Sequence, residues 1–411
     1  MTLSKRSEEK FDRLIDWDAS LTPRDHFFDA VTSTDALRIK YGVDITASTL
    51  HLGHAVNMRV MREMQDMGHK VVFLLGGFTT LVGDPTDRTH ARGTIDELII
   101  EENKRRFIGQ VATVLDFDDP NKIEIRDNTE WWGDAEHPGT ISPYDLFSKM
   151  LRQVSLGHLS SRAMFRKRLE EGQPIQMAEF LYPVLQGYDS VMVESDVTVV
   201  GTDQLFNENM GRFFQEEAGQ PKQMIVCTKI TPGLDGGPKQ SKSIGNFVGI
   251  DHSPQEKYDR LMRLRDDLTG QWLRVYSDIP LDSIQELEER YANEPIVLKQ
   301  MLAHNVVAGF HGQEVADQAR EEFGRKLNHQ APTDVPEVQF HPGMTLRQVL
   351  MERLGYKSGQ IRQFIENGSI QLVGPEDDQT RLTLEAISKP LTAGADIKIG
   401  KSRFFRLTSD A

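Results

Sequence analysis

Apolar residues recur every three or four positions through HLGHAVNMRVMREMQDM (51–67), with Val56, Val60, Met64 and Met67 on one face and Gly68 as a terminator. That spacing predicts a helix. LRIKYGV (37–43) before it reads as a short strand. KVVFLLGG (70–77) after it is a continuous apolar run, as expected of a strand buried on both faces. Strand, helix and strand in this order make a βαβ unit and hence a parallel sheet. Further on, Thr94 with Glu97 offers a capping box for a long helix, and IEIRDNTEWWG (123–133) reads as a strand running into a loop. Residues 141–192 read as helical throughout, and DVTVVGTDQ (196–204) returns to strand and then helix.

The pattern changes beyond residue 253. Amphipathic helices dominate 254–325, and PTDVPEVQFHPGM (332–344), with its three prolines, reads as a linker. The last module runs helix, helix, short strand, and ADIKIGKSRFFRL reads as a further strand pair.

Composition narrows the class. A chain of 411 residues has room for two or three domains, and no apolar run reaches the roughly 20 residues of a membrane span. The opening MTLSKRSEEKFDRLIDWDAS is charged and has no signal-like apolar core. The one cysteine, Cys227, excludes an internal disulfide framework and thiolate zinc clusters, and fits a cytoplasmic protein. The net charge of −14 is uneven: residues 344–411 hold 10 Lys+Arg against 8 Asp+Glu. An acidic body with a mildly basic end permits local RNA contact.

Three constellations carry the chemistry. His51 and His54 stand where a parallel strand hands over to a helix, a place whose free N–H groups attract anions. Zinc would need further protein ligands, and neither a His-Glu-x-x-His pattern nor a clustered cysteine supplies them. Phosphate contact and helix-start packing both remain open, and Gly53 would let a nucleotide approach the backbone. The second constellation is KQSKS, which offers Lys239 and Lys242 in a Gly- and Ser-rich loop suited to a polyphosphate or to simple solvation. The third is Tyr182, Gln186 and Asp189, spaced four and three apart on one helix face among apolar residues. Such a buried polar stripe needs partners, either internal or on a ligand. Asp203 and Gln204 in GTDQ, and Asp84 in GDPT, lie beyond predicted strands, where open α/β sheets bind ligands.

HLGH, GDPT, LYPVLQGYD, GTDQLFN and KQSKS, in that order, resemble the motifs of class I aminoacyl-tRNA synthetases, specifically the bacterial tyrosyl branch. The last module resembles the small RNA-binding fold that ends those enzymes. The resemblance implies an α/β chain with a Rossmann-like parallel-sheet catalytic domain over 1–248, carrying a helical insertion at about 115–190. An α-helical anticodon-binding domain (249–331), a linker (332–343) and a small α+β RNA-binding domain (344–411) would follow. It further implies L-tyrosine, ATP bound with Mg2+, and tRNA(Tyr) as partners, and a homodimer. His51, His54, Lys239 and Lys242, with Arg88 and Arg92, would act on the ATP phosphates. Asp44, Gly53, Gly201, Asp203 and Ser243 would bind ATP. Asp84, Tyr182, Gln186 and Gln204 would hold the amino acid, and Asp189 would accept a hydrogen bond from its phenol. Rejection of phenylalanine is a property for which tyrosyl enzymes are themselves the reference, so it enters here through the resemblance.

Four positions depart from the usual pattern: Lys40 stands where some tyrosyl enzymes have a second phenol-binding tyrosine, Ile45 replaces a proline, Val200 a glycine, and Gln240 the loop methionine. The alternative reading is a paralogue that activates a modified tyrosine or serves as a non-catalytic RNA-binding protein.

Overall fold

The computed structural model describes all residues except 1–2, 34, 47–48, 85–96, 134–139, 243, 328–334, 374–378, 392–394, 401–402 and 410–411. Thr94 of the expected capping box, and with it Arg88, Arg92 and Ser243, therefore lie outside the described residues. The chain divides into two compact units, one of residues 1–253 with 260–306, the other of residues 254–259 with 307–411.

The first unit is built on five parallel strands: β1 (Arg38–Asp44), β2 (Lys70–Gly76), β3 (Ile123–Asp127), β4 (Val197–Val200) and β5 (Met224–Cys227), in the order β3-β2-β1-β4-β5. β2 is buried almost throughout, which is why its sequence is apolar at consecutive positions. Helix α1 (Leu52–Asp66) follows β1 and buries Val56, Val60 and Met64 completely; each such side chain contributes roughly 1.5–3 kcal/mol of burial energy. The strand order reverses between β1 and β4, so a crevice opens at their carboxyl ends.

The stretch 141–192 is helical but broken. It contains Pro143–Asp145, a π-turn at Leu146–Met150, Leu156–Ser160, Ala163–Glu170 and then the long α2 (Met177–Met192). Ser142 and Ser155 cap new starts, and Gly172, in the left-handed region at φ 66°, with Pro174 stops the helix before α2. EWW, expected in a loop, instead forms a short helix, Thr129–Trp132. α2 packs closely on α3 (Leu205–Glu217), because a Cβ on Gly187 would meet the Met210 Cβ at 2.7 Å. That contact draws the polar stripe of α2 up to the side chains of α3.

In the second unit, β6 (Glu337–Phe340), β7 (Ile370–Val373), β8 (Gln379–Arg381), β9 (Ala395–Ile399) and β10 (Arg403–Ser409) form a second sheet, ordered β6-β10-β9-β7-β8. It shares a core of Phe340, Val349, Leu350, Ile361, Ile370, Ile397 and Leu407 with the helices Leu346–Glu352 and Ser358–Glu366. Among the described residues, no helix is long and apolar enough to cross a membrane.

Candidate functional site

A cleft of about 340 Å³ opens at the β1/β4 crevice. Lining it are His51, Gly53, His54, Asp44, Asp84, Tyr182, Gln186, Asp189, Gly201, Asp203, Gln204 and Lys239, which the sequence singled out, and Lys40, Val200 and Gln240 from the positions of departure. Lys242 is not part of this lining; its ammonium lies 6.0 Å from the centre of the Phe107 ring.

At one end, His51 is the N-cap of α1. Its Nδ1 accepts the Gly53 N–H at 3.1 Å, while its own backbone N–H donates to His54 Nδ1 at 3.2 Å. The two rings, 4.0 Å apart, thus form a reciprocal capping box. Packing and ligand contact are therefore not rivals here. With each Nδ1 occupied as an acceptor, the ring proton sits on Nε2, and both imidazoles present an N–H donor. Burial, joined by repulsion from Lys242 and Lys239, pushes both rings down in pKa, His54 to about 3, so they donate as neutral groups. Gly53 is required because a Cβ there would sit 2.9 Å from the His51 ring.

The signature loop is anchored by the residue that replaces its methionine. Gln240 is buried; its Nε2 donates to Tyr276 Oη at 2.9 Å and Thr231 Oγ1 at 3.2 Å, and its Oε1 accepts the Val248 N–H at 3.4 Å. The loop's exit is tied to the histidine helix by Leu52 N–H to Val248 O and Ile250 N–H to Leu50 O. Lys239 Nζ lies 3.6 Å from the Asp203 carboxylate.

Carboxylates gather toward the middle. Asp44, at the end of β1, accepts from Tyr182 Oη at 2.9 Å and from Thr79 Oγ1 at 2.8 Å. Burial and then the neighbouring Asp84 push its pKa up to about 7. Asp84 accepts from Gln204 Nε2 at 2.8 Å. A buried carboxylate whose proton affinity is raised beside a second carboxylate makes a site for a cation.

Asp189 closes the far end. Its Oδ1 accepts the indole N–H groups of Trp131 (2.8 Å) and Trp132 (2.9 Å), and its Oδ2 accepts from Asn128 Nδ2 at 3.2 Å. Burial pushes its pKa up to about 6, against the pull of the Lys40 ammonium. Three donors leave a carboxylate room for a fourth. The sequence reading missed both indoles, Asn128, Asn207 and Glu208. The adjacent indoles of EWW were visible, but no spacing rule links them to a residue 57 or 58 positions away.

The cleft thus has neutral N–H donors and lysines at one end, paired carboxylates in the middle, and a donor-lined carboxylate at the other. It suits a ligand that is anionic, then cationic, then capped by a hydroxyl.

The family model of tRNA synthetases class I (W and Y) matches residues 32–328. The chain is 34% identical over 392 residues to tyrosine–tRNA ligase 2 of Vibrio cholerae, covering 94% of this chain and 95% of that protein. It is 36% identical over 388 residues to the tyrosine–tRNA ligase of Burkholderia lata, covering 93% and 89%. Among solved structures, a C-terminally truncated mitochondrial tyrosyl-tRNA synthetase of Aspergillus nidulans shares the fold with a TM-score of 0.64 at 23% identity, covering 79% of this chain and 94% of that one. A tyrosyl-tRNA synthetase of Archaeoglobus fulgidus, solved with L-tyrosine, gives 0.57 at 17% identity, covering 77% and 100%.

Proposed function

This chain belongs to the class I tRNA synthetases of the tryptophan and tyrosine type, and from its tyrosine–tRNA ligase relatives we infer that it attaches tyrosine to tRNA using ATP. The observation that carries the reading is one cleft holding the histidine pair and Lys239 at one end and Asp189 at the other.

The tyrosine carboxylate attacks the α-phosphate of ATP, which arrives as its Mg2+ complex. The bond to the β-phosphate breaks, giving tyrosyl-adenylate and pyrophosphate. The 3′-terminal adenosine of tRNA(Tyr) then takes the tyrosyl group and AMP departs. The attacking carboxylate is already ionised, so no general base is needed, and positioning with charge stabilisation supplies the rate.

In this reading the Nε2–H donors of His51 and His54 meet phosphate oxygens. Being neutral, they spend their effect on charge that grows in the transition state. Lys239 and Lys242, together with Arg88, Arg92 and Ser243, hold the departing pyrophosphate. Gly53, Gly201 and Asp203 face the adenosine. Asp84 and Asp44, with Tyr182, Gln186 and Gln204 around them, take the α-ammonium group; Asp44, first expected at ATP, bonds directly to Tyr182 and so fits this end better. Asp189 accepts the phenolic hydroxyl. A phenylalanine in its place would leave that buried acceptor without its fourth partner.

We further propose a cytoplasmic homodimer. The large apolar side chains Tyr144, Phe147, Leu156 and Met177, exposed along the helical stretch before and at the start of α2, support a second copy covering that face. We propose 1–248 and 249–331 as the catalytic and anticodon-binding domains; β6, expected within the linker 332–343, pairs with β10, so the proposed RNA-binding domain starts by Glu337 and not at 344.

ATP–pyrophosphate exchange with single amino acids tests the reading. Exchange stimulated by tyrosine, and not by tryptophan or phenylalanine, is the expected result; no exchange with any of them would overturn it. Light scattering tests the dimer.

A further inference from the structure

Lys40 and Glu208 are among the most deeply buried charged residues of the first unit, and both line the cleft. Lys40 Nζ lies 2.8 Å from Glu208 Oε2 and donates to Ser190 Oγ at 2.7 Å, beside Asp189 in the chain. The two side chains are 1% and 2% exposed, so water screens neither charge.

Glu208 begins an ordered series of amides. Its Oε1 accepts Gln186 Nε2 at 2.9 Å, and Gln186 Oε1 accepts Asn207 Nδ2 at 2.7 Å. The same Asn207 amide donates to Gln204 Oε1 at 2.9 Å, and Gln204 Nε2 donates to Asp84 at 2.8 Å. The series therefore starts and ends on carboxylates. A carboxylate only accepts, so both glutamines must turn their NH2 groups outward, and Asn207 must donate in both directions. Gln223 Nε2 adds a second donor to Glu208 Oε2 at 3.0 Å.

Among the described residues, Lys40 is the cation that acts on Asp189. Asp44 and Tyr182 act on it from β1 and α2, and the indoles of Trp131 and Trp132 are neutral donors. Glu208 bonds to Lys40 itself.

We propose that Lys40 and Glu208 are positioning residues for amino-acid specificity: the Lys40 ammonium is the counter-charge that keeps Asp189 an acceptor, and Glu208 sets the orientation of the Gln186 amide. The pair rests on the reading that Asp189 meets the tyrosine hydroxyl. It explains how a lysine can stand on the first strand of this pocket: its charge is spent on neighbouring carboxylates and does not meet the ligand. Replacing Lys40 alone would strand the Glu208 charge in a dry interior. The informative change is therefore the neutral pair Lys40→Met with Glu208→Gln, in which the new amide oxygen still accepts from Gln186.

The indole N–H resonances of Trp131 and Trp132 report Asp189 directly in the full-length protein without substrate. In the double variant their pH midpoint should move upward by about one unit or more. The acid limb of kcat/KM for tyrosine in pyrophosphate exchange should move with it, while KM for ATP stays unchanged. Indole midpoints that stay put while the variant folds and exchanges normally would overturn the proposal and leave the function intact. Loss of tyrosine-dependent exchange in the unaltered protein would instead sink the function. Should the variant not fold, the unaltered protein decides: the Lys40 ¹⁵Nζ signal should titrate at the same midpoint as the two indoles, and an Nζ signal blind to that step overturns the link.

Discussion

The two ends of the cleft are built differently. The histidine end is local: His51, Gly53 and His54 satisfy one another within four residues, and their backbone bonds set the ring tautomers. The Asp189 end is assembled from afar, with Trp131 and Trp132 at separations of 58 and 57 residues and Lys40 bonded to Ser190 across 150. A local constellation tolerates distant change because its geometry comes from one helix start. A distributed one fails when any contributor is lost, since each stranded partner is buried.

The largest expected effect therefore falls at the distributed end. Asp189→Asn keeps one acceptor oxygen, which can serve the two indoles or Asn128 but not all three donors, and it removes the charge that matches Lys40. We expect kcat/KM for tyrosine activation to fall by about 10²–10³-fold, roughly 3–4 kcal/mol, with KM for ATP little changed. Tyrosine activation near the unaltered level would show that Asp189 does not meet the phenol. At the local end, His54→Gln exchanges a ring-fixed Nε2–H donor for a flexible amide and loosens the helix cap. It should lower kcat about 10²-fold, as for loss of one preorganised donor, while tyrosine KM holds. A rise in KM for ATP with kcat unchanged would mean that the ring binds the ground state and the transition state alike.

This contrast also explains what could be read from the chain. The βαβ start, the sheet, the histidine pair, the lysine loop and the 182/186/189 stripe were legible because each is a short pattern whose spacing matches one turn or one strand. Glu208 was not, although its sequence distance to Gln186 is modest, because only the close α2–α3 crossing at Gly187 makes them neighbours. Lys40 could be seen as unusual, but its partner could not. The unbroken helix expected over 141–192 failed for another reason: helical periodicity continues across Ser155 and Gly172, while caps and a left-handed glycine interrupt the backbone.

The two ends should also respond oppositely to pH. Burial, then Lys242, holds His54 at about 3, so between there and pH 6.5 the unfolded chain binds a proton that the native ring refuses. The stability it contributes is present above about pH 6.5 and is lost as pH falls. Burial raises Asp189 to about 6, so the native state keeps a proton that the unfolded chain releases near 3.8. That contribution is present at low pH and is lost as pH rises from about 4 to 6. Relative to the unaltered protein, His54→Gln should thus gain stability as pH is lowered, and Asp189→Asn as pH is raised. Each slope is bounded by about 1.4 kcal/mol per pH unit, on the order of 2 °C in Tm. Differential scanning from pH 4 to 7 measures both. Slopes of the same sign would break the distinction between the ends.

The smallest effect expected is at the loop that joins them to pyrophosphate. Gln240→Met restores the residue usual in the motif and removes two buried donors at Thr231 and Tyr276. Those two hydroxyls, 2.6 Å apart, keep each other as partners, so no buried oxygen is left bare and only the Val248 N–H loses a long contact. The net cost should be near that of one neutral hydrogen bond, about 1 kcal/mol. The anchor acts on the loop carrying Lys239, so the change should appear as a two- to fivefold rise in KM for ATP, roughly 0.4–1 kcal/mol, with tyrosine KM untouched. Tyr276→Phe, which removes the hydroxyl and leaves the loop sequence intact, should reproduce the direction. If Gln240→Met altered tyrosine KM instead, the loop and the Asp189 end would be coupled, and the cleft would have to be treated as one network.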